Sequence, residues 1–317
     1  MKKFSLIIAI ILVIMLAMAG CQGNDDTGGD EGTVDEGDAA ANETAKVYLI
    51  TMDQMDQHWV TVDEGAQKAA DELGNIDYKW LAPDVKDDAK QIECINNAVA
   101  DGADVILLAA NGPDAVTSAL EEADKAGVMI IYVDSPANFP ALQTLATDNK
   151  AAGETAGKEM LDQFTADGVS SGKIGIVNVK PDTTSCVLRE EGFRAAFEGT
   201  DFEILTTQYG EGDPAKSKDI ASNYISEGVV GIFGANEGGS VGAGNAIKEA
   251  GAEVVGVGFD KSDAILELLD GGYLLCSMAQ NPDVMGYEGV QSAAKAFAGE
   301  ELSPAVVDTG VSVLRKE

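Results

Sequence analysis

The sequence is poor in the residues that carry most enzyme chemistry. Its 317 residues include one histidine, His58. That excludes a multi-histidine metal site and leaves little room for a histidine-based catalytic triad. There are four cysteines. Cys21 stands apart at the end of an apolar leader. The other three, Cys94, Cys186 and Cys276, are an odd number, and no structural disulfide is expected. Cys94 falls in a helical pattern and Cys276 in a strand, so both read as core residues. Positive charge is scarce: 21 Lys and Arg against 54 Asp and Glu give a formal charge of −33. A chain this acidic lacks the basic surface that nucleic acid requires. Arginine is much rarer than lysine, present only as Arg189, Arg194 and Arg315. There is no basic helix-turn-helix. The run GSVGAG (239–244) has neither G-x-G-x-x-G nor the P-loop lysine, and its glycines read as allowing close packing at a helix start. DDTGGDEG (25–32) lacks the spacing of a Ca²⁺ loop, so no metal is expected.

One long hydrophobic run is present, Phe4 to Met18. Lys2 and Lys3 precede it and Ala19-Gly20-Cys21 follow. This is the pattern of a secretory signal (1–20) with a lipoprotein-type cleavage site, where Cys21 becomes the lipidated first residue. Met18 departs from the pattern, which more often has Leu there. The alternative is an uncleaved anchor, but the run is short for a span of ~20 residues. Residues 21–45 then hold eight acids, no basic residue and one large aliphatic, Val34. Such a segment cannot bury enough apolar surface to offset its ordering entropy and is expected to be a disordered tether. The expected location is extracytoplasmic, lipid-anchored on the outer face of the cell membrane.

From Lys46 onward, short apolar strands alternate with helical patterns. Strands are expected at Lys46–Thr51, Ile76–Leu81, Asp104–Ala109, Val128–Val133 and Leu142–Ala146. Helices are expected between them, at Trp59–Leu73, Ala89–Ala100 and Ala115–Ala126. Four β–α repeats in about ninety residues predict a doubly wound parallel sheet. The pattern restarts after a helix over Ala151–Phe164, with strands at Lys173–Val177, Phe202–Gln208, Val229–Ala235, Glu253–Phe259 and Leu274–Ala279. A second α/β domain is therefore expected. The last long helix is placed at Pro282–Ala298.

Several strands end on a single polar residue. Val128–Val133 ends in Asp134, Val229–Ala235 in Asn236, VVGVGF (254–259) in Asp260, and Leu274–Ala279 in Gln280. In open α/β sheets, ligands bind in the crevice beyond the carboxyl ends of the strands. These residues therefore describe a cleft for a small polar molecule. The competing reading of Asp134 and Asp260 is as helix N-caps. Arg189 is either a site residue or a helix-surface partner of Glu190 or Glu191. Trp59 is either a wall of the cleft or plain core. Asn111, Lys180, Asp182 and Glu211 lie on strand-end loops and are weaker candidates.

The motifs DEGAQKAADELG (63–74), VDSP (133–136), LATDNKAAGETAG (145–157), REEGFRAAF (189–197), ANE (235–237), VVGVGFD (254–260) and AQNPDVMGYEG (279–289) resemble those of the ribose/galactose-type sugar-binding lipoproteins of ABC transporters. These share a LacI-like, type I periplasmic binding protein fold. The resemblance implies two Rossmann-like lobes joined by a three-strand hinge near Thr147-Asp148, Gln280-Asn281 and Asp308-Thr309. The N-terminal lobe would comprise 46–147 with 281–307, and the C-terminal lobe 148–280 with 308–317. It implies that Asp134, Arg189, Asn236, Asp260 and Gln280 bind sugar hydroxyls. Asp56 stands where an Asn does so, and His58 and Trp59 where two phenylalanines stack on the ring. It further implies hinge closure on the ligand, an ABC permease as partner, a chemoreceptor or sensor kinase as a further partner, no cofactor and no enzymatic activity.

Two departures count against ribose itself. Ser135 replaces an Arg after the strand-end Asp, and Gly212 replaces an aromatic. Another monosaccharide, a polyol or a furanose-like molecule is expected. The rival readings are a nucleoside receptor of the same fold, a secreted α/β enzyme and a transcriptional effector domain.

Overall fold

A computed structural model describes residues 43–316. The signal segment, Cys21 and the tether to Asn42 lie outside the described residues. The first half of the described chain runs β1 (Ala45–Ile50), α1 (Gln57–Leu73), β2 (Ile76–Leu81), α2 (Asp88–Ala100), β3 (Val105–Leu108), α3 (Thr117–Lys125), β4 (Met129–Val133) and β5 (Gln143–Ala146). Then come α4 (Asn149–Asp167), β6 (Ser171–Asn178), α5 (Thr184–Ala196), β7 (Asp201–Ile204), β8 (Gln208–Tyr209), α6 (Pro214–Ser226), β9 (Val229–Gly234), α7 (Glu237–Ala250), β10 (Val255–Phe259), α8 (Asp263–Asp270) and β11 (Cys276–Gln280). The chain ends with α9 (Pro282–Phe297), β12 (Val306–Asp308) and β13 (Val311–Arg315).

Two sheets result. The first has the order β12-β5-β4-β3-β1-β2, and the second β13-β11-β10-β9-β6-β7, with β8 also on β6. The first is parallel throughout. The second is parallel except for β13, which pairs antiparallel to β11. The strand order reverses on either side of β1 in one sheet and of β6 in the other, the doubly wound pattern whose switch point opens a crevice. Among the described residues the chain passes between the sheets after β5, after β11 and after β12.

Each sheet is buried on both faces, which explains the continuous apolar runs. Val47, Leu49, Leu107 and Ile131 pack on one side of the first sheet, and Ile50, Ile106, Leu108 and Ile130 on the other. Phe193, Phe233, Phe259 and Met278 form the main core of the second. Helix α4 lies so close to α5 that a Cβ on Gly153 would fall 2.0 Å from the carbonyl oxygen of Arg189. That contact fixes the turn of α5 carrying Arg189.

The apolar run Phe202–Gln208 is not one strand. Ser171–Ile174 pair with Asp201–Ile204, whereas Val177–Asn178 pair with Gln208–Tyr209, so one extra residue interrupts the ladder. The Tyr224 hydroxyl donates into this break, with the Thr206 carbonyl at 2.7 Å and that of Ile176 at 3.1 Å. Cys186 and Cys276 are buried free thiols, and Cys94 is half-buried.

Candidate ligand site between the lobes

The β1–α1 and β2–α2 loops and the end of β4 face the ends of β9, β10 and β11 and helix α5. Asp56, His58, Trp59, Asp134, Arg189, Asn236, Asp260 and Gln280 all line one cavity there. Met52, Lys86, Val179, Ser185 and Cys186 complete its wall.

Asp134 and Asp260 leave their strands in the left-handed conformation, with φ of 61° and 74°. For an L residue this costs about 1–2 kcal/mol. The sheets hold both in place: the Asp134 N–H donates to Leu145 O and the Asp260 N–H to Met278 O, each at 2.8 Å. Strain of this kind collects at ligand clamps. Neither Asp is the cap of the helix that follows. Ser262 caps α8 and Asp148 caps α4 through their side chains. Asp260 instead accepts the Glu237 N–H at 2.9 Å and the Gln280 amide at 2.6 Å. Asn236 does cap α7, its Oδ1 accepting from Gly239 at 3.0 Å, which turns its Nδ2 away from the helix.

Arg189 does not pair with its sequence neighbours. Glu190 binds Arg194 at 2.8 Å and Glu191 lies 3.7 Å from Lys150. The Arg189 guanidinium is 3% exposed. Its Nε donates to Asn149 Oδ1 at 2.7 Å and its Nη1 to Ala235 O at 3.1 Å. Its carbon lies 3.8 Å from the centroid of the Phe259 ring. Nη2 has no hydrogen-bond partner and ends 3.6 Å from Asp134 Oδ2.

His58 stands between the two strand-end carboxylates, with Nε2 3.2 Å from Asp134 Oδ2 and Nδ1 3.6 Å from Asp260 Oδ1. The shorter contact is off the N–H axis, so Nε2 forms an ion-pair contact there and no aligned hydrogen bond. Burial pulls the imidazole pKa down, but Asp134 and Asp260 override it and hold it above the ordinary value. Burial in turn pushes Asp134 up, and His58 and Arg189 bring it below the usual carboxylate range. Trp59 meets His58 edge-on, ring centroids 4.6 Å apart, and also packs into the core of the first sheet. Trp59 thus lies at the boundary between the cavity and the core.

Lys86 was not among the expected residues. It is buried at the cavity wall, where Nζ donates to Asp53 and, at 2.6 Å, to Asp56 Oδ2. Burial and the Asp53 charge hold Asp56 above the ordinary carboxylate value despite Lys86. The second omission is Glu237, whose Oε2 accepts the His58 backbone N–H at 3.2 Å. The weaker candidates divide. Asn111 is buried behind the cavity and its carbonyl accepts the Thr183 hydroxyl at 2.8 Å. Lys180 pairs with Asp88 on the rim at 3.0 Å. Glu211 is exposed and pairs with Lys216, and Asp182 is exposed as well.

These contacts from Thr183, Glu237 and Lys180 tie the two sheets' domains together across the cleft, so the lobes are closed. The space left between the converging side chains is about 20 Å³, room for about one water molecule. No group of three or more His, Cys, Asp or Glu among the described residues has metal-ligating geometry.

The chain matches the periplasmic binding protein domain over residues 47–301. It belongs to the periplasmic binding protein family. The ribose import binding protein of Haemophilus influenzae is 31% identical over 268 residues, 83% of this chain and 89% of that protein. A solute-binding protein of Agrobacterium vitis, solved with bound D-fucose, superposes with a TM-score of 0.81 at 29% identity, covering 86% of this chain and 96% of that one. A carbohydrate-transporter solute-binding protein of Agrobacterium radiobacter, in complex with D-arabinose, gives 0.82 at 28% identity, covering 86% and 95%. This periplasmic binding protein is thus a relative of solute-binding transport proteins, and its two doubly wound lobes are those of the type I fold.

Proposed function

We propose that this periplasmic binding protein captures a neutral, polyhydroxylated ligand of monosaccharide size and delivers it to an ABC permease. One observation carries the choice of ligand class. Five buried polar atoms without hydrogen-bond partners belong to residues lining one cavity: His58 Nε2, Trp59 Nε1, Arg189 Nη2, Asn236 Nδ2 and Gln280 Oε1. A buried polar group left unpaired costs about 1–3 kcal/mol. Several such groups around one space suit a ligand rich in hydroxyls, which both donate and accept. The Asp134 and Asp260 carboxylates suit vicinal hydroxyl pairs. Carboxylates outnumber cations around the cavity, which disfavours anionic sugars. The relatives named for ribose, D-fucose and D-arabinose support the class.

In this reading the lobes are 46–147 with 281–307 and 148–280 with 308–317. Ligand contacts from both exist only when the hinge is shut, so ligand stabilises the closed form. Closure on a sugar requires the first-lobe wall, His58 above all, to draw back, since about 20 Å³ is too little for one. Lipidation at Cys21 would anchor the protein to the outer face of the membrane, and the closed lobes would also serve a chemoreceptor or sensor kinase. Export of a Cys21→Ser variant into the medium, against retention of the wild type, tests the anchor.

The test of the ligand class is a thermal-shift screen of residues 46–317 with pentoses, hexoses, polyols, furanosides and nucleosides. A ligand that binds only the folded state raises its melting temperature. A several-degree shift with one sugar class, abolished in Asp260→Ala and Arg189→Ala, is expected. A shift with nucleosides alone would overturn the assignment.

A further inference from the structure

One wall of the cavity includes a side chain that the sequence gives no reason to place there. Lys86 comes from the β2–α2 loop of the first lobe, and its side chain is 6% exposed. Its ammonium is pinned. Asp53 and Asp56 each accept one of its N–H groups. Asp53 is itself fixed, because its Oδ1 accepts from the backbone of Met55 at 2.6 Å and of Asp56 at 2.9 Å. A lysine ammonium has three N–H donors. Two go to these carboxylates, and the third remains for the cavity that Lys86 lines.

The stem of Lys86 reaches across the cleft to Gly212 of the second lobe. A Cβ on Gly212 would fall 2.8 Å from both Cδ and Nζ of Lys86. Gly212 cannot retreat. Its carbonyl oxygen packs against α7 so tightly that a Cβ on Gly238 would lie 1.9 Å from it. Its φ of 75° also disfavours any side chain. The space therefore holds either Lys86 or a side chain at 212, not both.

We propose that Lys86 is a specificity-determining residue. It supplies from the first lobe the end wall that position 212 leaves open, so it sets the length of ligand accepted there. Its third N–H is donated to an oxygen acceptor of the ligand: a hydroxyl, a ring oxygen or a carbonyl. Asp53, Lys86 and Asp56 together carry net negative charge, so that acceptor is neutral and not a phosphate or carboxylate. The inference rests on the sugar-capture reading above.

Isothermal titration with D-ribose, D-arabinose, D-allose and D-tagatose tests it on four proteins: wild type, Lys86→Ala, Gly212→Ala and the double variant. In Gly212→Ala the new methyl group strikes Lys86, and affinity for the preferred sugar falls by about tenfold or more. Removing Lys86 in the same chain recovers part of that loss. Lys86→Ala alone moves the ranking towards the larger hexoses by about tenfold. If Lys86→Ala fails to fold, Lys86→Ser replaces it, since it too lacks the Cδ that the methyl group strikes, with the same rescue expected. The proposal is overturned if Gly212→Ala does equal damage with and without Lys86, or if loss of Lys86 leaves the ranking of sugars unchanged. If wild type binds none of the four, the four proteins are compared on the ligand found in the thermal-shift screen; absence of any sugar or polyol binder in that screen removes the sugar-capture reading, and this inference with it.

Discussion

On the second-lobe side of the cavity, the polar groups are held by the fold itself. Arg189 is fixed by Asn149, the Ala235 carbonyl and the Phe259 ring. Asp260 is held by its own strand neighbour, by the start of α7 and by Gln280. None of these partners lies in the first lobe, so this wall keeps its shape when the hinge opens. On the first-lobe side, charges are balanced mainly against one another. Lys86 is set by Asp53 and Asp56, and His58 faces Asp134 on its own side and Asp260 across the cleft. The second-lobe wall is a preformed template. The first-lobe wall is completed by closure and responds to protonation and to neighbouring side chains.

The largest effect expected from this contrast is at Arg189. Arg189→Ala removes the donors to Asn149 and Ala235 together with the unpartnered Nη2. Affinity for the sugar found in the screen should fall by more than about 100-fold, or about 3 kcal/mol. Arg189→Lys should fail to restore it, because a point ammonium cannot reproduce the planar fork that lies on Phe259 and reaches three directions. Titration calorimetry decides this. If Arg189→Lys binds nearly as well as wild type, the second-lobe wall is not the rigid template described.

The two walls were also unequally legible in the sequence. Asp134, Asn236, Asp260 and Gln280 each follow a short apolar strand, and strand ends in a parallel sheet all point to one rim. Period and position were enough to bring them together. The left-handed backbone at Asp134 and Asp260 was not readable, since Asp after a strand is equally suited to capping a helix. Lys86 was hidden for a different reason. In Asp84-Val85-Lys86-Asp87-Asp88 it reads as a solvated charge, and its burial depends on Gly212 and on closure of the other lobe. The run Phe202–Gln208 reads as one strand because nothing in its sequence marks a break. Only the pairing offset against β6 shows the extra residue. Family likeness supplied Asp56, His58 and Trp59, which composition and spacing alone had not distinguished from a loop and a helix start.

A smaller effect should appear in the pH dependence of closure, which tests the responsive wall. His58 is held above its ordinary value near 6.5. The stability this adds is fully present below pH 6.5 and is lost as pH rises through the raised value. Burial, with Asp56 and Asp260 nearby, pushes Glu237 up to about 7. A carboxylate raised in the closed form takes up a proton on closing, so closure weakens between its ordinary 4.5 and about 7. Asp134 is lowered and acts the other way, but only as pH falls below its ordinary 3.8. Sugar affinity should therefore decline several-fold from about pH 6 to pH 8. Glu237→Gln should flatten part of that decline and leave the His58 part. The single histidine makes the remainder directly observable: in Asp134→Asn, its NMR titration midpoint should drop, because burial and Arg189 then meet less opposition. An affinity flat across this range in wild type would mean that the first-lobe wall is as indifferent to protonation as the second.

The smallest effect belongs to the rim. Lys180 and Asp88 join the lobes at 3.0 Å, but their side chains are 21% and 34% exposed. Exposed ion pairs contribute about 0.2–1 kcal/mol, and salt screens them. Asp88 also accepts from Asn111, so it keeps a partner when Lys180 is removed. Lys180→Ala should weaken sugar binding by less than about threefold, with the difference vanishing at about 0.5 M salt. A loss as large as that of Arg189→Ala would place the energy of closure at the solvent edge instead of in the buried walls. Comparing the two variants in one titration series therefore measures how much of the closed state is held by the cavity and how much by its rim.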